Sequence, residues 1–386
     1  MSIQPSHFLQ NIGSQYLRQE VELEIDSDHK KPGVDFTAFT RENSKAYVFD
    51  YPLELQQILK DTFQDPKKHG YNASTGIQGL REAVADLYST PLHKVSANDV
   101  VITSGIEMSH LYVLYSLTDE GENFIVPPNT YRKIEDFPAS LKIDVKKASL
   151  EEISAKKDDK TKFLYISNPN EPNGKYEYDV NAYKEKANEI GVPLVLNEEM
   201  ISLPFSGDSG FRSTTSLLGK ESAILMNSSD CLMLAPGFRI GFLVFYDPQK
   251  MFGHIMEGIE KIAQMFLHPS IPLQFATVEI LKSPSLPVYM KKAQAYFQEA
   301  SAELHKHVGQ VPNVAIHDPE YGLFAAIELK GKNAETKFDV VKDLLAKQNI
   351  LVQTSEVNGH VAFKISLTNK LEDYSELGER LKEFLN

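Results

Sequence analysis

At 386 residues, with 42% apolar and 24% charged content, the chain is long enough for two or three domains and a sizeable buried core. Lys+Arg at 40 against Asp+Glu at 53 leave a net charge of −13, which disfavours nucleic acid and anionic membranes as partners. A single cysteine, Cys231, excludes an intramolecular disulfide framework and a multi-cysteine metal cluster, and no run reaches the roughly 18 apolar residues of a membrane span.

The opening segment has Arg18 as its one strong base before Glu20 and no long apolar run, so it matches neither a secretory signal nor a transit peptide. The expected compartment is cytoplasmic, consistent with one cysteine, and an organelle is the alternative. From Asp99 to Tyr246 short β-rich runs alternate with helical patterns: "VVIT" at 100–103, "NFIVP" at 123–127, "LKIDVK" at 141–146, "KFLYIS" at 162–167, "VPLVLN" at 192–197, "AILMN" at 223–227 and "GFLVFY" at 241–246. Between them "MSHLYVLYSL" and "DVNAYKEKANEI" carry apolar residues at helical spacing. Such alternation predicts an α/β architecture, a seven-stranded, mostly parallel sheet covered by helices on both faces, with ligands at the carboxyl ends of its strands.

After Pro248 the pattern changes to long amphipathic helices around 249–267 and 285–307, the second a spine between two lobes. A smaller α+β lobe follows, with strands in "GLFAAIEL" at 322–329, "ILVQT" at 350–354 and "HVAFKISLT" at 360–368, a helix near 336–347 and a closing helix from Leu371. The expected division is a large domain over 47–285 and a small one that combines 1–46 with 286–386.

Five segments stand in a telling order: "YNASTGIQGLREAVADLY" at 71–88, "VVITSGIEMSHLYVLYSL" at 100–117, "PPNTYRKIEDF" at 127–137, "ISNPNEPNGKY" at 166–176 and "APGFRIGF" at 235–242. Together they resemble the class I/II aminotransferases of pyridoxal-phosphate (PLP) fold type I, from about Ala46 to the C-terminus. That family's reaction needs a lysine for the internal aldimine, an acid on the pyridine nitrogen and a cup of donors for the phosphate. The resemblance puts the lysine five positions before the proline of the Pro-Gly-x-Arg turn, where this chain has Cys231 before Pro236, and no lysine lies between Lys220 and Lys250.

Other positions diverge with it. Where the family has Asp-Glu-x-Tyr, this chain reads Asn197, Glu198, Glu199 and Met200, so the pyridine acid and the phenol beside the ring oxygen are both missing. The second asparagine of the family's Asn-Pro turn is Glu171, and the arginine that binds the substrate carboxylate is Lys364, which lacks the bidentate fork. The resemblance maps the phosphate cup onto Tyr71, Ser104, Gly105, Ser228 and Arg239, and the stacking aromatic onto Tyr131. A helix N-terminus with two hydroxyls, a guanidinium and a phenol suits a phosphate without a covalent bond. Plainer accounts run beside these: Gly105 and Gly237 as tight-turn residues, Arg239 as an ion-pair partner of Asp230 or Glu171, and Tyr131 as packing. Likewise Cys231 reads as an inert small hydrophobe, His110 as a satisfied core or surface histidine, and Glu198 as a strand-end contact to solvent or a loop.

The expectation is a catalytically inactive member with a structural, interaction or phosphate-binding role, homodimeric through Tyr71 or a subunit of a larger assembly. The alternative is an enzyme that holds PLP, or another phosphate ligand, non-covalently and uses a different residue for its chemistry.

Overall fold

The computed structural model describes residues 37–38, 51–128, 130, 133–170, 174–176, 178–208 and 211–386. Strand β1 (Thr37–Ala38) comes first, followed by β2 (Val100–Thr103), β3 (Asn123–Val126), β4 (Asp144–Lys147), β5 (Thr161–Ser167), β6 (Leu194–Asn197), β7 (Ala223–Ser228) and β8 (Gly241–Tyr246). The last seven form one sheet in the order β2-β8-β7-β6-β5-β3-β4. Only β8 runs antiparallel to its neighbours, so the carboxyl ends of β2, β6 and β7 and the entry to β8 share one edge.

The strand sequences explain why this sheet is buried on both faces. Val100, Ile102, Leu164, Ile166 and Leu225 pack into one core, while Val101, Phe163, Tyr165, Ile224 and Met226 pack into another. Alternate residues of an apolar strand therefore serve opposite layers, as a sheet sandwiched by helices requires. Each such side chain removed from water contributes about 1.5–3 kcal/mol. Helices 78–88, 180–190 and 271–282 supply the first layer, and helices 106–117 and 253–266 the second. Local signals fix their ends: Asp179 accepts from the amides of Asn181 and Ala182 at the start of Val180–Ile190, and Gly191 closes that helix at φ 72°.

Beyond the 23-residue helix Ser285–His307 lies a second sheet of β9 (Val314–His317), β10 (Phe324–Asn333), β12 (Gln353–Val357) and β13 (His360–Ser366), antiparallel in the order β12-β13-β10-β9. The short strand β11 (Ile350–Leu351) pairs in parallel with β1, which ties that N-terminal dipeptide to this region. The strand expected at 350–354 divides into β11 and β12, which join different sheets, and three further readings need correction. The strand expected at 141–146 is β4 and begins at Asp144, because Leu141 and Lys142 turn back onto Pro138 and Ala139 and Lys142 adopts φ 58°. Helix Ile271–Lys282 went unseen because Ile271, Gln274, Ala276, Thr277, Val278 and Ile280 are buried on several faces and leave no single stripe. Strand β9 went unseen because its four residues are all half-buried and show no alternation.

Candidate functional site

Four loops converge at the edge where β2, β6, β7 and β8 meet. After β2 the chain passes through exposed Ser104 and buried Gly105 into helix Ile106–Leu117. Gly105 sits at φ 82°, and a Cβ there would lie 2.1 Å from Nη2 of Arg239, so the glycine is required twice over. Arg239, at φ 53°, ends the turn Pro236–Phe238 just before β8. That turn is anchored by Ser229, whose amide donates to the Ile240 carbonyl at 2.7 Å and whose hydroxyl donates to the Ala235 carbonyl at 2.9 Å.

Ser228 ends β7 and caps the short helix Ser229–Leu232 by accepting from the Asp230 amide at 3.1 Å. Cys231 lies in that helix as a packed side chain, buried at 5% exposure. The expected neighbours Ser104, Gly105, Ser228 and Arg239 are thus on one edge. Tyr71 stands apart, 87% exposed, with its ring 5.9 Å from that of His268. Tyr131 and Glu171 lie outside the described residues.

Carboxylates engage the cationic and hydroxyl groups of this edge. Nη2 of Arg239 donates to Glu107 Oε2 at 2.6 Å, and Nη1 lies 3.6 Å from Asp230 Oδ2. The Ser228 hydroxyl donates to Glu199 Oε1 at 2.5 Å. Partial burial pulls the guanidinium pKa down, but the bond to Glu107 and the charges of Glu107, Asp230 and Glu199 outweigh it and raise the pKa. The expected Asp230 pairing is present, at the longer distance. Glu107 was missed, because an acid in the first turn of a helix ordinarily just complements the dipole.

At the end of β6, buried Asn197 turns its side-chain carbonyl back to accept from the Glu199 amide at 3.0 Å. Met200 is also buried, with Sδ 2.6 Å from where a Cβ on Gly322 would stand, so it packs toward the smaller sheet. Of the two contacts expected for Glu198, solvent is excluded and the loop is found: it is fully buried, and accepts from the Thr214 amide at 2.8 Å, from the Thr214 hydroxyl and from Ser213 Oγ at 3.0 Å. Burial pushes its carboxyl above the ordinary range against those hydrogen bonds. His110 is a core histidine whose Nε2 lies 2.9 Å from the Tyr165 hydroxyl. Lys364, on β13, is 5% exposed and places Nζ 3.8 Å from the centroid of the Phe324 ring. Among the described residues no cluster of three or more His, Cys, Asp or Glu has a metal-binding arrangement, and no helix is long and apolar enough to cross a membrane.

With this geometry in view, comparisons place the chain among known proteins. The family description "Aminotransferase class I and II" matches residues 45–381. The chain is 26% identical over 361 residues to the tyrosine aminotransferase of Dictyostelium discoideum, spanning 87% of this chain and 85% of that protein. It is 25% identical over 314 residues to the tyrosine aminotransferase of Bos taurus, spanning 77% and 70% respectively. In three dimensions it is similar to an alanine aminotransferase from Pyrococcus furiosus, with a TM-score of 0.85, 20% identity and 99% of each chain covered. A tyrosine aminotransferase from Leishmania infantum gives a TM-score of 0.84 at 17% identity, covering 100% of this chain and 98% of that one.

Proposed function

The chain belongs to the class I and II aminotransferases, and from that premise we propose that it is a non-catalytic member, a pseudoenzyme that keeps the family's fold as a binding or interaction subunit. The family's cofactor is PLP, and the residues here do not fit it. One observation carries this reading. Ser228 and Arg239, which flank Cys231 in the sequence, both reach the strand edge where Gly105 stands, which supports the register that puts the buried thiol of Cys231 at the family's lysine position. A thiol supplies no amine for a Schiff base, and no neighbouring position in 221–249 is a lysine.

Further features support the reading independently. Asn197 bears no charge and already accepts from the Glu199 amide, so it offers a pyridine nitrogen no acid. Met200 offers no hydrogen bond to a ring oxygen, and Lys364 stands against Phe324 without the guanidinium fork that grips a carboxylate. These losses strike different steps, so no single compensating group restores turnover.

We also assign the chain a homodimeric state and a cytoplasmic home. Tyr71 at 87%, Met265 at 79%, Leu267 at 48% and Phe266 at 45% exposure form an apolar surface joined through the Tyr71–His268 and Tyr115–Phe266 ring contacts. A second copy of the chain is the occupant that the family relationship favours for it. A single buried cysteine suits a reducing compartment.

The test is direct. Purified protein with PLP, 2-oxoglutarate and each common amino acid should form keto acid no faster than PLP alone. Amino-acid-dependent turnover well above that background, lost on heat denaturation, would refute the proposal.

A further inference from the structure

Arg239 is the guanidinium of the edge where a phosphate would be received, and it is already engaged by the chain itself. Glu107 Oε2 is 2.6 Å from its Nη2, Asp230 Oδ2 is 3.6 Å from its Nη1, and Glu199 takes the Ser228 hydroxyl. Two carboxylates thus pair with one guanidinium and a third, Glu199, acts on its charge from beside Ser228, a formal local charge of about −2 where a phosphate dianion would need a positive field.

The backbone reinforces the arrangement. Gly105 lets the guanidinium lie flat on the turn, since any Cβ there would strike Nη2, and Gly241 lets β8 approach that same turn, since a Cβ there would be 2.5 Å from the Gly105 carbonyl carbon. Glu107 stands two residues past Gly105, in the first turn of helix Ile106–Leu117, where the helix dipole favours its negative charge. The carboxylate therefore uses both attractions that a bound phosphate would use, the guanidinium and the helix N-terminus.

We propose that Glu107 is an internal plug: its carboxylate takes the place of a ligand's anion, so the chain closes its own phosphate cup and binds neither inorganic phosphate nor a pyridoxal phosphate through it. This deepens the non-catalytic reading and rests on it for the identity of the cup, but it can fail separately. A chain that binds phosphate and yet transaminates nothing would sink the plug and leave the loss of catalysis intact.

Removing one negative charge at hydrogen-bond distance from the guanidinium should tighten phosphate binding by about tenfold or more. The experiment measures the melting temperature of the full chain against inorganic phosphate and against 4-deoxypyridoxine 5′-phosphate, which has the phosphate but no aldehyde, at constant ionic strength. Arg239→Ala serves as the baseline for non-specific salt effects, and circular dichroism checks that each variant is folded. The wild-type response should equal that of Arg239→Ala, whereas Glu107→Gln and Glu107→Ser should show a saturable rise with both probes. A saturable wild-type rise that Arg239→Ala removes would overturn the plug. So would folded Glu107→Gln and Glu107→Ser proteins that respond no more than the wild type.

Discussion

Glu198 is a fully buried carboxylate at the end of β6, held by the loop that carries Ser213 and Thr214. It follows the end of an apolar strand beside Glu199, and two adjacent acids at a strand end ordinarily face water. In the fold only Glu199 stays near the cup, while Glu198 is enclosed with Ser213 and Thr214. The partners come from a loop 15 and 16 residues downstream, with no spacing signal to announce them. Because burial raises this carboxyl, the folded state holds its proton more tightly than the unfolded chain, so its ionisation costs stability as pH rises above the ordinary glutamate range. Glu198→Gln keeps an acceptor for the Thr214 amide and removes the charge. It should raise the melting temperature by about 1–3 °C at pH 7 and by less at pH 5, measured by scanning calorimetry. A larger gain at pH 5 than at pH 7 would contradict the account. Cys231, Asn197 and Lys364 were assigned their roles by counting along the family's motif, and the borohydride experiment below tests the first of them.

At the scale of elements, apolar runs such as those at 162–167 and 241–246 announced their strands because strands covered on both faces of a sheet need them. What the runs could not announce was how closely β2 and β8 approach at the cup. Gly241→Ala puts a methyl group 2.5 Å from the Gly105 backbone, where no flexible side chain can give way. The expected cost is about 2–4 kcal/mol, read as a shift in urea midpoint, with an unchanged midpoint as the contrary result. The smaller sheet holds a second long-range device. Glu328 on β10 accepts from His317 of β9 at 2.7 Å and from His360 of β13 at 2.6 Å, so one buried carboxylate joins three strands. Burial alone would raise its pKa, but the hydrogen bonds from His360 and His317, with their charges, hold it below the ordinary range. A depressed carboxyl stabilises the fold above its unfolded pKa, and that contribution is lost as pH falls through the folded value. Glu328→Gln should therefore cost about 1–3 kcal/mol at pH 7 and less near pH 3, by urea titration at both values. An equal cost at both pH values would remove the electrostatic explanation.

For the whole molecule, the sequence carried the architecture well because layering follows from patterns within each segment, whereas closure of the cup depends on a contact between Glu107 and Arg239 that is 132 residues apart in the chain. Assembly belongs to this scale too. Met265, the most exposed residue of its apolar patch after Tyr71, should mark the surface between two copies. Met265→Glu should shift the sedimentation coefficient from dimer to monomer at micromolar concentration, since interfaces of this kind tolerate no buried unpaired charge. A wild-type chain that already sediments as a monomer would deny the pairing. The central claim is that the fold of a class I and II aminotransferase persists here without the means to react, and borohydride trapping probes it most directly. After incubation with one equivalent of PLP, reduction and peptide mass spectrometry should find no site-specific pyridoxyl lysine, and the absorbance should match that of free PLP plus scattered surface adducts. Stoichiometric labelling of a single lysine, accompanied by a visible aldimine band that amino acids discharge, would contradict it.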